Sequence, residues 1–178
     1  MRSFVLLALG LSLVPGCARM ADQAASDASA GTAACPTTTE SENVAIARVW
    51  HEDAINQRNP EALYEILSPE VTHHAAGGYA DTMSAEGVVT MMADFPDAFS
   101  DLRYDFDLLF AKDALVVERY TASGTQDGPL QDLPATGRKA TWTGINIFRI
   151  ECGRIVEIWS EVDALSRRQQ LTGAATGS

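Results

Sequence analysis

The chain has 178 residues, which is enough for one domain with a substantial hydrophobic core. It carries 24 acidic against 13 basic side chains, and its formal net charge is −11 at pH 7. A field of that sign repels phosphate backbones and anionic lipid headgroups, so we expect neither nucleic acid nor a charged membrane surface as a partner.

The first residues are typical of an export signal. Arg2 precedes an apolar run at residues 4–14, which is too short to span a membrane. The letters "VPGC" end at Cys17 and resemble the lipobox of bacterial lipoproteins, in which the cysteine is lipidated after cleavage. We therefore expect residues 1–16 to be a signal peptide and the exported chain to be a periplasmic or cell-surface lipoprotein that touches the membrane only through Cys17. Pro15 is unusual in that motif, so a soluble export signal is the alternative.

The composition then divides the rest of the chain. Residues 17–38 are mostly small and polar, which predicts a flexible tether after the lipidated cysteine. Residues 39–172 form the predicted domain, and residues 173–178 a disordered tail. If Cys17 is lipidated, Cys35 and Cys152 are left in an oxidising compartment, either as a disulfide or as two free thiols.

Three amphipathic helices are predicted in the first half of the domain. Thr39 and Glu42 have the spacing of a capping box before the first helix, and Asn59 and Pro60 start the second. The third follows Ser84. The side chains expected to face the core are Ile46, Val49, Trp50, Ala54, Leu63, Ile66, Leu67, Val88, Met91, Met92 and Phe95.

Strands make up the remainder. A short strand, "SPEVTHH", precedes the third helix, and four strands follow it with turns at "KD" and "ECGR" and a loop at "QDGPLQDLPATGR". Three helices followed by an antiparallel meander predict an α+β domain with helices on one side of a curved sheet.

The last strand raises a question about its two faces. In "RIVEIWSEVDAL" the period of two places Glu157, Trp159, Glu161 and Asp163 on one side. A tryptophan among acids is seldom left fully exposed, so we expect this face to line a cavity. The alternative is an acidic face in water.

Several segments of the second half together resemble the SnoaL-like polyketide cyclase or ester cyclase family of the nuclear transport factor 2-like superfamily. They are "FPD", "SGTQDGPLQDLPATGR", "GINIFRIECGRIVEIWSEVD" and "RQQL". The resemblance implies a cone with three N-terminal helices packed on a strongly curved, mainly antiparallel sheet. It also implies ring closure by an intramolecular aldol reaction without metal or cofactor, and a homodimer formed through the outer face of the sheet.

Carried over by motif, the resemblance makes Asp163 the catalytic acid and base, with His74 as the next candidate. His73 is adjacent on the same strand, so only one of the two histidines can face the pocket. Family members commonly have a histidine in "GTH-x-G", where this chain has Gln126, which can hydrogen-bond a carbonyl but cannot supply a proton. The alternative for Asp163 is that it caps the final segment "ALSRRQQL".

The expected substrate-binding side chains share a polar or aromatic character that suits a carbonyl compound. They are Gln126, Trp159, Glu157, Tyr79, Phe95, Arg119 and Trp142. Arg119 could instead pair with Glu157 or Asp163, and the tryptophans could simply fill core. Three histidines without paired spacing predict no metal site.

These expectations describe an exported protein that holds a small hydrophobic molecule and performs cofactor-free acid–base catalysis, either an aldol-type cyclisation or an isomerisation. Whether it is an enzyme stays open at this point. The alternatives are a non-catalytic lipoprotein that binds a small molecule or lipid, and a hydrolase that uses the same pocket.

Overall fold

The computed structural model describes residues 35–174. The predicted signal peptide, Cys17, most of the tether and the end of the predicted tail lie outside the described residues. Within residues 35–174, none of the helices has the length and apolar character needed to cross a membrane.

The helices begin and end at recognisable signals. They are α1 (Glu40–His51), which continues into a π-helical turn (Glu52–Asn56), a 3-10 turn (Pro60–Ala62) with α2 (Leu63–Ile66), α3 (Ala85–Ala98) and α4 (Ala164–Thr172). The predicted capping box is present, since Thr39 Oγ1 accepts from the Glu42 amide at 3.2 Å and Glu42 Oε2 accepts from the Thr39 amide at 2.7 Å. The helix α4 was not predicted as a separate element.

Five strands form one sheet. They are β1 (Leu67–His74), β2 (Arg103–Lys112), β3 (Leu115–Thr125), β4 (Lys139–Glu151) and β5 (Arg154–Val162), in the spatial order β1-β5-β4-β3-β2. The pair β1–β5 is parallel and the other pairs are antiparallel. Register shifts within β1–β5, β2–β3 and β4–β5 mark bulges, which increase the local twist and bend of a sheet.

Alternation along the strands separates a covered face from an open one. In β3, Glu118 and Tyr120 are buried whereas Val117 and Arg119 are not. The helices lie on the buried face, where the Trp50 ring of α1 packs 5.6 Å from the Phe148 ring of β4. The predicted class, α+β with helices packed on one side of a curved and mainly antiparallel sheet, is confirmed.

A disulfide ties the start of the domain to the sheet. Cys35 precedes α1, and Cys152 lies in the turn between β4 and β5, with 5.0 Å between their Cα atoms. Of the two states that the sequence left open for these cysteines, the structure has the bonded one.

Candidate functional site

A cavity lies between the helices and the buried face of the sheet. Its empty space, including the open mouth, is about 450 Å³. The apolar part of its wall consists of Trp50, Ala76, Met91, Met92, Phe95 and Val162. Against this apolar background the polar side chains of the wall are conspicuous, because burial of polar groups is costly unless they are hydrogen-bonded.

Five polar side chains between the helices and the sheet form one continuous series, which we call the polar chain. His51 Nδ1 lies 2.7 Å from Glu118 Oε1, and Asn146 Nδ2 donates to Glu118 Oε2 at 2.8 Å. Ser160 Oγ donates to Asn146 Oδ1 at 2.8 Å, and His73 Nε2 lies 2.9 Å from Ser160 Oγ. The polar chain therefore joins two histidines of the cavity wall through three neighbouring strands.

Strand register explains how these groups meet. Glu118 of β3 is directly opposite Asn146 of β4, which is directly opposite Ser160 of β5. Residues opposite each other on the same face of a sheet have Cβ atoms about 4.5–5.5 Å apart, within reach of a side-chain hydrogen bond. His51 ends α1, immediately before the π-helical turn, a feature that often marks functional sites.

The hydrogen bonds define where the protons lie. Ser160 uses its single proton towards Asn146, so it accepts from Nε2–H of His73. Burial lowers the pKa of His73 to about 4, so this ring is neutral at pH 7, and its unprotonated Nδ1 has no partner among residues 35–174. With Glu118 as the accepting carboxylate, His51 donates from Nδ1, and its Nε2 is the nitrogen that can take up a proton.

Aromatic rings hold the His51 imidazole in place. Tyr104 stacks on it with 4.1 Å between ring centroids, and Tyr120 meets it edge-on at 4.7 Å. Burial raises the pKa of both tyrosines well above the usual value, so both remain uncharged. The ring orientation of His51 is thus determined by packing as well as by Glu118.

Two further polar groups of the wall lack a hydrogen-bond partner. The Tyr79 hydroxyl has none within the described chain, and burial, with the nearby charge of Asp94, raises the pKa of Tyr79 to about 12. Arg167 of α4 is 4% exposed, and its Nη1 is also unpartnered within that part of the chain. Its guanidinium carbon lies 5.2 Å from the Trp142 ring centroid and 5.7 Å from that of Phe95.

Two of the predicted substrate-binding residues, Tyr79 and Phe95, line the cavity. Trp142 is in the core beneath Arg167 and outside the wall. Gln126 is buried elsewhere, because its amide binds the loop after β3. Its Nε2 donates to the carbonyls of Leu133 and Pro134 at 3.2 and 3.3 Å.

Asp163 directly precedes α4 as its N-cap residue and does not line the cavity. Its Oδ1 accepts from the Ser166 amide at 3.0 Å, which is the capping role that the sequence left as the alternative. The strand ends at Val162, so the period of two that placed Asp163 with Glu157 and Trp159 does not extend to it.

The prediction about the faces of the last strand is corrected. Glu157 and Trp159 lie on the open face of the sheet, whereas Ser160 and Val162 face the cavity. On the open face His74 Nε2 lies 3.0 Å from Glu157 Oε1, and the His74 ring stacks on Trp159 at 5.7 Å. This neighbour explains how the tryptophan is accommodated outside the core.

The other charges of the open face also form local pairs. Arg149 Nη2 donates to Glu157 Oε2 at 2.7 Å. The hydrogen bonds from His74 and Arg149 hold the pKa of Glu157 below its usual value. Arg119 was expected to bind substrate or, as the alternative, to pair with Glu157 or Asp163, but it pairs with Asp107 of β2. His74, Glu157, Trp159 and Arg119 are therefore outside the cavity.

The sequence pattern missed the polar chain and Arg167. A detectable signal was present, since Glu118 alternates with Val116 and Tyr120, and Asn146 precedes Phe148 on the same face. A polar residue in an otherwise apolar period-two row is a candidate buried group. His51 had a similar signal, because it follows Ala47 at the spacing of one helical turn.

Comparison with known proteins agrees with this architecture. A family model described as SnoaL-like polyketide cyclase matches residues 45–171. Among curated protein sequences, none matches the chain.

Three solved structures illustrate the similarity. A proposed SnoaL-like polyketide cyclase from Jannaschia sp. CCS1 is 16% identical with a TM-score of 0.71, over 79% of this chain and 98% of the other. TsrD from Streptomyces laurentii is 29% identical with a TM-score of 0.68, over 75% and 97%. IdmH from Streptomyces antibioticus, a proposed polyketide cyclase, is 27% identical with a TM-score of 0.62, over 74% and 98%.

The fold is therefore that of the nuclear transport factor 2-like proteins, as the order of helices and strands indicated. Because the family match spans most of the chain, it identifies the group within that fold as well. The chain belongs to the SnoaL-like polyketide cyclase family.

Proposed function

We propose that this protein is a cofactor-independent enzyme that performs acid–base chemistry on a small apolar carbonyl compound, as an aldol-type cyclisation or an isomerisation. The observation that carries the proposal is the polar chain, which places two oriented histidines in the wall of an apolar cavity. Family membership supports the same reaction class.

His51 is the proposed general base. Glu118 holds Nδ1–H of the ring, so Nε2 takes the proton from the carbon next to the substrate carbonyl, and the buried carboxylate stabilises the imidazolium that forms. A positioned acid–base group of this kind typically accelerates a reaction by about 10²–10⁴-fold.

Tyr79 is the proposed donor to the developing enolate oxygen. Its hydroxyl is uncharged at neutral pH and, with Asp94 nearby, makes no hydrogen bond of ordinary geometry in the described chain, which suits an oxyanion donor in an apolar site. In a cyclisation, the enolate carbon forms the new bond to a second carbonyl carbon, and the resulting alkoxide takes its proton from the His51 imidazolium. In an isomerisation, His51 returns the proton to a different carbon.

His73 has a different part in this scheme. Its neutral ring, with a pKa of about 4, supplies an unprotonated Nδ1 that can accept a hydrogen bond from a substrate hydroxyl. We assign it to orientation of the substrate, since Ser160 already engages its Nε2.

The test is conversion of a ligand from a lipid and metabolite extract of the host, followed by native mass spectrometry. We compare the wild type with Glu118→Gln, which keeps the shape of the side chain, and with Asp163→Asn as the matched control. We expect the wild type and Asp163→Asn to convert a retained compound that Glu118→Gln only holds. Equal conversion by Glu118→Gln would refute the proposal, and a ligand held unaltered by all three would favour the non-catalytic binding protein.

Export and anchoring through Cys17 are also proposed, on the evidence of residues 1–17 alone. Metabolic labelling with a radioactive fatty acid tests this: we expect label on the wild type and none on Cys17→Ser. Unlabelled wild-type protein recovered in the soluble fraction would instead indicate an ordinary export signal.

We propose a homodimer through the open face of the sheet. Phe110, Val117, Ile147 and Trp159 are in register across β2, β3, β4 and β5, and they form an apolar row on that face. Sedimentation of the domain at micromolar concentration should give a dimer for the wild type and a monomer for Trp159→Glu. A monomeric wild type would refute this assembly.

A further inference from the structure

Arg167 is a buried charge without a counter-ion in contact. A guanidinium is ionised at every physiological pH, so it cannot escape burial by losing its proton. Arg167 is 4% exposed, yet its Nη1 has no hydrogen-bond partner among residues 35–174. A buried cation without a hydrogen-bonded counter-ion carries a large desolvation penalty.

Two nearby acids, Glu118 and Asp163, are already engaged. Glu118 accepts from His51 and Asn146 with its two oxygens, and Asp163 accepts from the Ser166 amide. The adjacent Arg168 differs, since it forms a two-pronged pair with Asp132 on the surface. The protein thus neutralises Arg168 locally and leaves Arg167 available.

The rings beside Arg167 define which part of it is available. Phe95 and Trp142 lie within 6 Å of its guanidinium carbon, and such faces attract a cation while leaving its planar N–H fork free. Arg167 lines the cavity together with Trp50 and four members of the polar chain, which are His51, His73, Asn146 and Ser160. It also borders a surface depression next to Gly77 and Gly78, so an anion can approach it from either side.

We propose that the ligand of this cavity is an apolar carboxylic acid whose carboxylate binds Arg167. The inference rests on the proposed function for the use of the cavity and specifies the substrate class. A carboxylate matches the two parallel N–H groups of a guanidinium. A dianion such as a phosphate monoester would bring a second negative charge, which this single arginine cannot balance in a protein of net charge −11 whose buried Glu118 lies directly behind His51 of the cavity wall.

A carboxylate held at Arg167 would also orient the reaction. Arg167 comes from α4 and His51 from α1, so the anchor and the base approach the cavity from different elements. The apolar body of the ligand then lies against Trp50, Met92 and Phe95. Arg167 is accordingly a binding residue. Its charge favours those carbonyl compounds that also carry a carboxylate.

Calorimetric titration with three probes tests this. 1-Naphthoate has the acid and an apolar body, 1-naphthamide has the body without the charge, and acetate has the charge without the body. We expect the wild type to bind 1-naphthoate roughly 10- to 100-fold more tightly than 1-naphthamide, as a hydrogen bond to a charged group provides. Acetate should bind more weakly than 1-naphthoate, because the cavity buries the naphthyl ring and acetate has no such apolar body. An exposed anion site outside the cavity would bind the two acids alike.

Variants then assign the effect to one residue. Arg167→Gln should bind both naphthyl probes alike, and Arg168→Gln, the matched control, should keep the preference for the acid. Glu118→Gln should also keep it, so a failure of the catalytic proposal would leave this inference standing. Equal binding of the naphthyl probes by the wild type, no binding of 1-naphthoate at millimolar concentration, or an unchanged preference in Arg167→Gln would overturn it.

Discussion

The most informative perturbation of the polar chain is Glu118→Ala. Glu118 is fully buried and accepts from His51 Nδ1 at 2.7 Å and from Asn146 Nδ2 at 2.8 Å. The substitution removes both hydrogen bonds and leaves two buried donors without an acceptor. An unsatisfied buried donor costs about 1–3 kcal/mol, so we expect the free energy of unfolding to fall by about 2–6 kcal/mol.

Urea unfolding of the disulfide-bonded domain measures this loss by linear extrapolation. Glu157→Ala is the matched control, since Glu157 also accepts from a histidine and from a second donor, the guanidinium of Arg149, but on the open face of the sheet. Water replaces its partners after substitution, so its loss should be the smaller one. A loss below about 1 kcal/mol for Glu118→Ala, or a larger loss for Glu157→Ala, would refute the buried network.

Three further predictions concern other parts of the fold. Replacing Cys35 and Cys152 by serine opens a loop of 117 residues and should lower the unfolding free energy by about 4–5 kcal/mol, measured in urea; equal stability of the two forms would contradict the bond. The pKa of His73 is about 4 in the folded protein and 6.5 in the unfolded chain. The contribution of neutral His73 to the free energy of unfolding is therefore complete above pH 6.5 and is lost as the pH falls towards 4. This loss is on the order of 3 kcal/mol, and the wild type but not His73→Asn should show it in unfolding titrations. Asp163→Ala should cost about 1 kcal/mol of stability as a lost helix cap and leave ligand binding unchanged. Unchanged stability together with lost ligand binding would instead show that Asp163 belongs to the binding site.

Apart from α4, the sequence was sufficient for the elements of the fold because their signals are local. The capping box at Thr39 and Glu42 and the alternation in the strands each depend on a few neighbouring residues. The order of helices and strands then indicated an α+β domain with helices on one side of a curved sheet, and the family resemblance indicated the cone.

The site could not be predicted to the same extent, because it depends on strand register. The period of two divides β5 into two faces but does not say which one the helices cover. The register with β4 determines the covered face, since Asn146 pairs with Ser160 on that face and Ile147 pairs with Trp159 on the open face. The polar chain exists only after three strands are aligned, so none of its members forms a motif along the chain.

The direct test of the central claim is hydrogen exchange at carbon. The wild type, His51→Gln and His74→Gln are incubated in D₂O with the extract fraction that the protein retains, and mass spectrometry follows deuterium uptake next to carbonyl groups. The account predicts exchange or conversion by the wild type and by His74→Gln, whose histidine lies on the open face, and none by His51→Gln. Exchange by His51→Gln at the wild-type rate, or its loss in His74→Gln alone, would contradict the assignment of His51 as the base.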